Sequence, residues 1–366
     1  MINKGQITPT ELSNRIKNHE LWLKDPSKGK RFQAYNQDFI GMDFAGDLSK
    51  AIFELCDLTF TKWKNVRVDE VIFERCNFSH SELESVRNSP GKKLTIETCS
   101  FFRAKITGCQ IYDARLTDVG FASATLTNFT INSSSSTDLS FRSAVWNYGG
   151  FVKGTINRAN FENCKVSNIV VSDCKAYVWY APKFDFSKVT VFKDTEFLAC
   201  DFEEAQAEGL TFGQGRSNPL GIKSLGRSKF VGANLQNCFF EDIEVYGCDF
   251  SGASLSDANF SSVDLINAKF IGVDASPFTM TGCSAYKASF VEAKGNNWYL
   301  AGCELSRADF TNAEISSSQM KYCDLTGAKL FGVSVTKISF TGSELDGATW
   351  VDGQFCKVDS KGYCKL

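Results

Sequence analysis

Large apolar residues recur at every fifth position through most of this chain. From Phe230 to Phe355, 26 successive fifth positions share one frame, and most are Phe, Leu, Ile, Val, Met or Trp. The exceptions are Ala275, Ala285 and Gly295. A step of five fits neither the roughly 3.6-residue turn of an α-helix nor the alternation of a β-strand. The chain must therefore coil so that one side chain in five points inward.

Shorter blocks repeat the same period in shifted frames. They contain Phe53, Leu58, Trp63, Val68, Phe73, Phe78 and Leu83; then Ile96, Phe101, Ile106, Ile111, Leu116, Phe121 and Leu126, continuing to Ala176; and finally Phe197, Phe202 and Phe212. The residue two positions before each large one is mostly Ala or Cys. If each five-residue unit forms one side of a square, the large residue fills the interior, the small one lines the corner, and one turn takes 20 residues.

The 20-residue spacing groups the aromatic residues into columns. Phe250, Phe270 and Phe290 would stack on one wall, with Phe240 and Phe260 on the opposite wall. Such columns bury identical side chains against each other, and each fully buried ring contributes roughly 1.5–3 kcal/mol. The aromatic residues are therefore interpreted as core, in preference to a stacking platform for nucleic-acid bases.

Three five-residue segments carry a family resemblance. Ala-Asn-Leu-Gln-Asn at 233–237, Ala-Ser-Leu-Ser-Asp at 253–257 and Ala-Asn-Phe-Ser-Ser at 258–262 resemble the A(D/N)LXX unit of the pentapeptide repeat family. The resemblance implies an all-β fold, the right-handed quadrilateral β-helix. At roughly 4.8 Å per turn, about 15 turns would give a rod on the order of 75 Å long.

The repeat also sets the expected organisation. Residues 1–36 lack the period and predict a helical cap: Thr8 is an N-cap candidate, Pro9 and Glu11 follow it, and Leu12, Ile16 and Leu23 fall near one face. Residues 37–355 form the β-helix and residues 356–366 a tail. The frame breaks near 84–93, 177–192 and 213–227. Pro and Gly predict ejected loops at the first and third breaks, and the middle one predicts a strained or bulged turn.

Twelve of the 14 cysteines occupy the small inward position. They are Cys56, Cys76, Cys99, Cys109, Cys164, Cys174, Cys200, Cys238, Cys248, Cys283, Cys303 and Cys323. This placement predicts small buried hydrophobic residues with free thiols, which favour a reducing compartment. Cys356 and Cys364 lie outside the pattern, and a reactive or bridging role remains open for them.

Sequence signals for catalysis are weak. The two histidines, His19 and His80, have no apparent nucleophile or metal partner, and Gly213-Gln214-Gly215 lacks the rest of a phosphate-binding motif. We expect no enzymatic activity and no cofactor. Neither a signal-peptide core nor a membrane-spanning apolar stretch is evident. The expected location is cytoplasmic, with export by a signal-peptide-independent route as the alternative.

Charge is distributed unevenly along the chain. Residues 228–355 hold 15 Asp and Glu against 8 Lys and Arg, whereas residues 1–227 hold 26 against 29. Outward acids of the carboxy-terminal coil, including Asp249, Asp257, Asp264 and Asp309, are therefore candidates for an interaction surface. An acidic coil could occupy a groove that normally binds duplex DNA.

Three functions remain compatible with the sequence. The first is a non-enzymatic scaffold that binds a protein partner along its walls or loops. The family resemblance adds a second, a DNA mimic that modulates or protects DNA gyrase or topoisomerase IV, and draws attention to Arg216, Lys223 and Arg227 in the third break. The near-neutral total charge, the length and the short tail depart from such relatives. The third is a delivered effector. No direct nucleic-acid or membrane binding is expected, and the oligomeric state stays open.

Overall fold

The computed structural model of this chain describes residues 5–213, 220–334 and 337–366. The chain divides into two compact units: a first unit of Met1–Tyr180 with Lys188–Thr190, and a second unit of Ala181–Ser187 with Val191–Leu366. In both units, short parallel strands pair with strands about one turn further along the chain. The coil predicted from the five-residue period and the all-β fold implied by the family resemblance are both confirmed.

Most strands are short because each side of the coil is only five residues long. Over residues 5–180 the elements are β1 Gly5–Gln6, α1 Pro9–Lys24, β2 Gln33–Tyr35, β3 Gln37–Asp38, β4 Asp43–Phe44, β5 Ile52–Glu54, β6 Lys62–Lys64, β7 Ile72–Glu74, β8 Glu82–Glu84, β9 Thr95–Ser100, β10 Lys105–Thr107, β11 Gln110–Tyr112, β12 Arg115–Gly120, β13 Thr125–Asn132, β14 Ser135–Ser140, β15 Val145–Asn160 and β16 Lys165–Tyr177. After a 3-10 turn at Phe186–Lys188 they are β17 Val189–Leu198, β18 Thr211–Gly213, β19 Leu220–Ser224, β20 Phe239–Glu241, β21 Ala258–Ser261, β22 Phe278–Thr281, β23 Lys294–Asn296, β24 Trp298–Ala301, β25 Glu314–Ser316 and β26 Gln319–Lys321.

The 20-residue register predicted for the second unit is present. Phe240 pairs with Phe260, and Phe260 pairs with Met280 on the next turn. On the other wall the ring centroids of Phe250 and Phe270 lie 5.1 Å apart, and those of Phe270 and Phe290 lie 4.9 Å apart. All six side chains are completely buried. The columns of identical side chains therefore form the core of this unit.

Each corner of the coil is a tight turn that explains the composition of the repeat. At one corner the amide of Ala253 donates to the carbonyl of Phe250 at 2.9 Å. The second residue after most inward residues adopts a left-handed backbone, as at Asn237 (φ 56°), Asp257 (φ 60°) and Asn267 (φ 57°). Gly, Asn and Asp tolerate this conformation best, which explains their frequency there.

The first frame break inserts three residues without disrupting the coil. Phe53 pairs with Phe73 after 20 residues, but Phe73 pairs with Ile96 after 23. The side-chain amide of Asn88, which is buried, spans the gap by donating to the carbonyl of Tyr112 at 2.6 Å and accepting from its amide at 2.8 Å. One side chain thus replaces the missing backbone pairing.

The third break is shorter than the sequence predicted. Phe212 pairs with Phe240, a step of 28 residues, so about eight residues are inserted here. The loop predicted over 213–227 does not extend to residue 227, because Leu220–Ser224 forms β19 and pairs with β17. Ile222 and Leu225 are completely buried in the coil. Residues 214–219 lie outside the part of the chain that the structure describes.

The middle frame break, near residues 177–192, has an irregular backbone. A 3-10 turn at Phe186–Lys188 interrupts the succession of strands. Val178 occupies a left-handed corner position with φ 56°. Such a backbone is unfavourable for a β-branched residue, so this corner is strained.

Helix α1 begins as predicted, but one of its buried residues differs from the prediction. Thr8 Oγ1 accepts from the amide of Glu11 at 3.2 Å, and Pro9 opens the first turn. Leu12 and Ile16 are buried, whereas Leu23 is only partly buried. His19 is the third buried residue of this face.

His19 fastens the helix to the first turn of the coil through two backbone hydrogen bonds. Its Nδ1 accepts from the amide of Phe32 at 3.0 Å, so the proton lies on Nε2, which donates to the carbonyl of Ser49 at 2.9 Å. The ring also stacks on Trp22 with centroids 5.6 Å apart. Burial lowers the pKa of His19, and the backbone carbonyls only partly offset this effect. The neutral ring is therefore the form that caps the coil.

Acidification is expected to loosen this cap before it affects the carboxylates. Below about pH 6.5 the unfolded chain binds a proton at His19 that the folded chain excludes, so stability falls by up to about 1.4 kcal/mol per pH unit. Urea unfolding at about pH 7.5 and about pH 5.5 measures the loss. The variant His19→Gln should be less stable at the higher pH and lose this pH dependence. The control His80→Gln should retain it, and equal pH dependence in both variants would contradict the assignment.

The tail closes the end of the second unit. Trp350 is partly buried, but Phe355, placed in the inward frame by the sequence, is 71% exposed. The five-residue repeat ends before Phe355 because the chain turns back at Gly353. Cys356 then exchanges backbone hydrogen bonds with Gly347 and Ala348. A disulfide joins Cys356 to Cys364. This antiparallel segment satisfies edge groups that could otherwise pair with another chain.

The other twelve cysteines are free, as predicted from their small inward position in the five-residue repeat. Eleven are buried and Cys164 is partly buried. Several thiols donate to carbonyls of the preceding turn, as Cys283 does to Phe260 at 3.3 Å. Burial raises the pKa of Cys238 to about 12, although nearby backbone amides oppose the shift. A thiol with this pKa is a poor nucleophile at neutral pH, which supports a packing role.

Candidate interaction surface

Outward residues of the second unit form rows that run from turn to turn. The residue just before each inward residue bridges to its counterpart 20 positions later, as Asp249 does to Lys269 and Asp264 does to Ser284. Successive side chains in a row are therefore about 4.8 Å apart. The charge of a surface strip is set by the residues at one position of the 20-residue register.

Asp249 and Asp309 belong to a row in which basic residues neutralise the acids. This mixed row consists of Lys229, Asp249, Lys269, Ser289, Asp309 and Lys329. Lys269 Nζ lies 3.3 Å from Asp249 Oδ2, and Lys329 Nζ lies 3.0 Å from Asp309 Oδ2. Burial disfavours ionisation of Asp249, but hydrogen bonds from Ser251 and the charge of Lys269 outweigh it and lower its pKa. This row carries little net negative charge to offer a partner.

Asp264 belongs to a different row, which is acidic. This row, here called the acidic ladder, contains Glu244, Asp264, Glu304, Asp324 and Glu344, with Ser284 between Asp264 and Glu304. Ser224 precedes the ladder, and Lys361 of the tail bridges to Glu344 at its end. No Lys or Arg among the described residues forms an ion pair with these five acids. Their side chains are exposed or half-buried. The acidic ladder is therefore a row of acids that have no ion-pair partners among the described residues.

Local hydrogen bonds hold the acidic ladder in place. Asp264 Oδ1 accepts from the amide of Ile266 at 3.0 Å, and Asp324 Oδ1 accepts from the amide of Thr326 at 2.8 Å. Glu304 Oε2 accepts from Ser284 Oγ at 2.9 Å. In each case the second carboxylate oxygen accepts no such bond from the described residues. The carboxylates are positioned by the coil and keep an oxygen for a donor on another molecule.

The fourth predicted acid lies apart from both rows. Asp257 occupies a left-handed corner with φ 60°. The four acids chosen from the sequence are thus split among the mixed row, the acidic ladder and a corner. The sequence reasoning missed Glu244, Glu304, Asp324 and Glu344. Grouping the polar residues by the 20-residue register, as was done for the aromatic residues, would have found them.

The basic residues predicted for the third break are not gathered on an ejected loop. Arg216 lies outside the described residues. Lys223 is in β19, where its Nζ lies 3.0 Å from Asp194 Oδ1. Arg227 occupies a corner with φ 59°, and its guanidinium lies 5.9 Å from the ring centroid of Tyr246. Lys223 and Arg227 therefore contact the coil itself.

The described part of the chain also bears on metal binding and on membrane crossing. No group of three or more His, Cys, Asp or Glu side chains there is arranged to hold a metal ion. None of its helices combines the length and apolar character needed to cross a membrane.

Comparison with known proteins identifies the repeat. Residues 246–282 and 299–327 match pentapeptide repeats, in eight copies. A comparison with curated protein sequences finds no significant match. Solved structures similar to this chain include HetL, a pentapeptide repeat protein involved in heterocyst differentiation regulation from the cyanobacterium Nostoc. The two share 15% identity over 91% of this chain and 97% of HetL, with a TM-score of 0.22.

Two further structures give the same kind of match. Full-length QnrB1, a plasmid-mediated fluoroquinolone resistance protein, is 14% identical over 65% of this chain and 92% of its own, with a TM-score of 0.16. A pentapeptide repeat protein of the Arabidopsis thaliana thylakoid lumen is 26% identical over 28% of this chain and 66% of its own, with a TM-score of 0.15. Scores this low carry no argument about function. Residues 246–282 and 299–327 therefore carry pentapeptide repeats, and the five-residue sides of the coil have the same period.

Proposed function

We propose that the second unit is a non-enzymatic scaffold whose acidic ladder binds a basic surface of a protein partner. The observation that carries this proposal is the contrast between two rows on one coil. The mixed row pairs Asp249 and Asp309 with lysines, whereas the acids of the ladder have no such partner among the described residues. A coil that needed charge only for solubility would not require this separation.

The separation also has an energetic cost that a partner would offset. Carboxylates about 4.8 Å apart in water repel each other by on the order of 1 kcal/mol per pair. In the mixed row a lysine replaces this repulsion with attraction, as Lys269 does beside Asp249. In the acidic ladder, Glu304 and Asp324 are direct neighbours. A row of Lys or Arg on another protein would relieve the repulsion and fix the register of binding.

Neutralising the ladder is expected to abolish partner binding without affecting the fold. The double variant Glu304→Gln/Asp324→Asn keeps the side-chain oxygens that accept local hydrogen bonds and removes two charges. The matched control Asp249→Asn/Asp309→Asn removes two charges from the mixed row. Affinity capture from the native host should retain a common set of proteins with wild type and control, and lose it with the ladder variant. Identical captured sets from all three baits would overturn the proposal.

A DNA-binding groove is a second candidate for the partner surface, because the acidic ladder repeats a negative charge at each turn except that of Ser284. One carboxylate per turn gives one charge per about 4.8 Å, against one per about 3.4 Å along a DNA strand. The ladder thus approaches the charge density of one strand, not that of the duplex. If the partner is DNA gyrase or topoisomerase IV, micromolar protein should alter supercoiling, and the ladder variant should not. No effect of wild type on either enzyme of its host would remove this candidate and leave the scaffold proposal intact.

A further inference from the structure

A polar cavity of about 420 Å³ lies between helix α1 and the first turn of the coil in the first unit. Its volume is within the range of small-ligand sites. It is lined by Glu11, Arg15, Asn18, Lys30, Arg31, Phe32, Gln33 and Gln37. This cavity is distinct from the acidic ladder, which belongs to the second unit.

The cavity has an excess of positive charge. Three cations, Arg15, Lys30 and Arg31, face a single carboxylate, that of Glu11. Among the described residues no carboxylate forms an ion pair with any of the three. Burial lowers the pKa of Arg15, and the charge of Glu11 only partly offsets this. An anion in the cavity would supply the missing counter-charge.

Both arginines are held in fixed positions. Arg15 donates from Nη1 to Gln37 Oε1 at 2.6 Å and from Nη2 to the carbonyl of Gln33 at 2.7 Å, and its guanidinium lies 4.7 Å from the ring centroid of Phe32. Arg31 donates from Nε to the carbonyl of Lys50 at 2.6 Å. The terminal nitrogens of Arg31 donate to no described residue. Pre-positioned donors of this kind bind an anion at low entropic cost.

The number of donors favours phosphate over carboxylate. The terminal nitrogens of Arg31, the ammonium of Lys30 and the amide of Asn18 are all available to a ligand in the cavity. A carboxylate offers two oxygens, whereas a phosphate monoester offers three and carries nearly two negative charges at neutral pH. We propose that this cavity binds the phosphate group of a small soluble ligand.

Calorimetric titration of the full-length protein with inorganic phosphate tests the proposal, with succinate as the carboxylate probe and ionic strength held constant. Lys30→Gln removes a cation whose side chain forms no hydrogen bond or ion pair with the described residues, and should weaken phosphate binding about tenfold. Glu11→Gln should strengthen it. The control Lys17→Gln makes the same charge change on helix α1, outside the lining of the cavity, and should leave binding unchanged.

Several outcomes would overturn the proposal. Absence of saturable phosphate binding would mean that the arginines serve only to fasten α1 to the coil. Equal weakening by Lys30→Gln and Lys17→Gln would indicate general charge attraction, and succinate binding as tight as phosphate binding would exclude the phosphate assignment. A further experiment measures binding to vesicles that contain phosphatidic acid. Binding to these vesicles without binding to inorganic phosphate would contradict the proposal of a soluble ligand. None of these results depends on the acidic ladder.

Discussion

Replacing Phe270 with Asp is expected to unfold the second unit. Phe270 is completely buried, and its ring stacks between those of Phe250 and Phe290 at 5.1 and 4.9 Å. Loss of the ring alone costs about 3–5 kcal/mol, and an unpaired buried carboxylate costs more. The total approaches the whole stability of a typical domain, about 5–15 kcal/mol. Circular dichroism and urea unfolding should show loss of the folded coil at room temperature.

The adjacent residue provides a matched control. Ile271 is 37% exposed and points away from the interior. Ile271→Asp introduces the same carboxylate one position later and should change stability by less than about 1 kcal/mol. If the two variants unfolded at similar urea concentrations, the inward frame assigned to this unit would be wrong.

Replacing Gly295 with Ala is expected to produce the second-largest loss of stability. Gly295 stands at an inward position where other turns carry a large residue, and a Cβ atom there would overlap the carbonyl oxygen of Ala275 and the indole nitrogen of Trp298. That indole donates to the same carbonyl at 2.6 Å. Overpacking costs about 1–3 kcal/mol, and the displaced hydrogen bond adds a further 1–3 kcal/mol or so. Urea unfolding should show a loss of about 3 kcal/mol or more.

Gly302→Ala separates packing from backbone strain. Gly302 occupies a left-handed corner with φ 61°, and no atom lies within 4 Å of its added Cβ. This variant should cost only about 1–2 kcal/mol, the cost of the left-handed conformation for Ala. A loss as large as that of Gly295→Ala would contradict the attribution of the Gly295→Ala loss to overlap with Ala275 and Trp298.

Periodicity predicted the core well because the coil repeats one environment. Phe250 and Phe270 meet the same neighbours one turn apart, so residue type and spacing were sufficient to place them. Periodicity did not predict positions at which an unusually large side chain is compensated by unusually small neighbours. Trp298 fills a corner position that is usually Ala or Cys, and Gly295 and Ala275 leave the space it needs. A large residue at one position and small residues at its neighbours can be recognised as compensating only when the side chains are placed in three dimensions.

The breaks and the surface were predicted less well, for different reasons. The Pro and Gly of residues 213–227 suggested one long loop, but Ile222 and Leu225 re-enter the core, and burial of apolar side chains outweighs local turn propensity. On the surface, the excess of acids in residues 228–355 was evident from counting alone. Counting could not show that Lys269 lies beside Asp249, because this pairing depends on which residues share a row.

The most direct test of the central claim is the salt at which a partner leaves the acidic ladder. Proteins captured by wild type, by Glu304→Gln/Asp324→Asn and by Asp249→Asn/Asp309→Asn would be eluted with a sodium chloride gradient and quantified. Screening shortens electrostatic interactions to about 8 Å at physiological ionic strength and about 3 Å at 1 M. The account predicts that a shared set of proteins elutes from wild type and control at the same salt concentration, and that the ladder variant retains little of this set and releases that part at a much lower one. Elution of every captured protein at the same salt concentration from all three baits would contradict it.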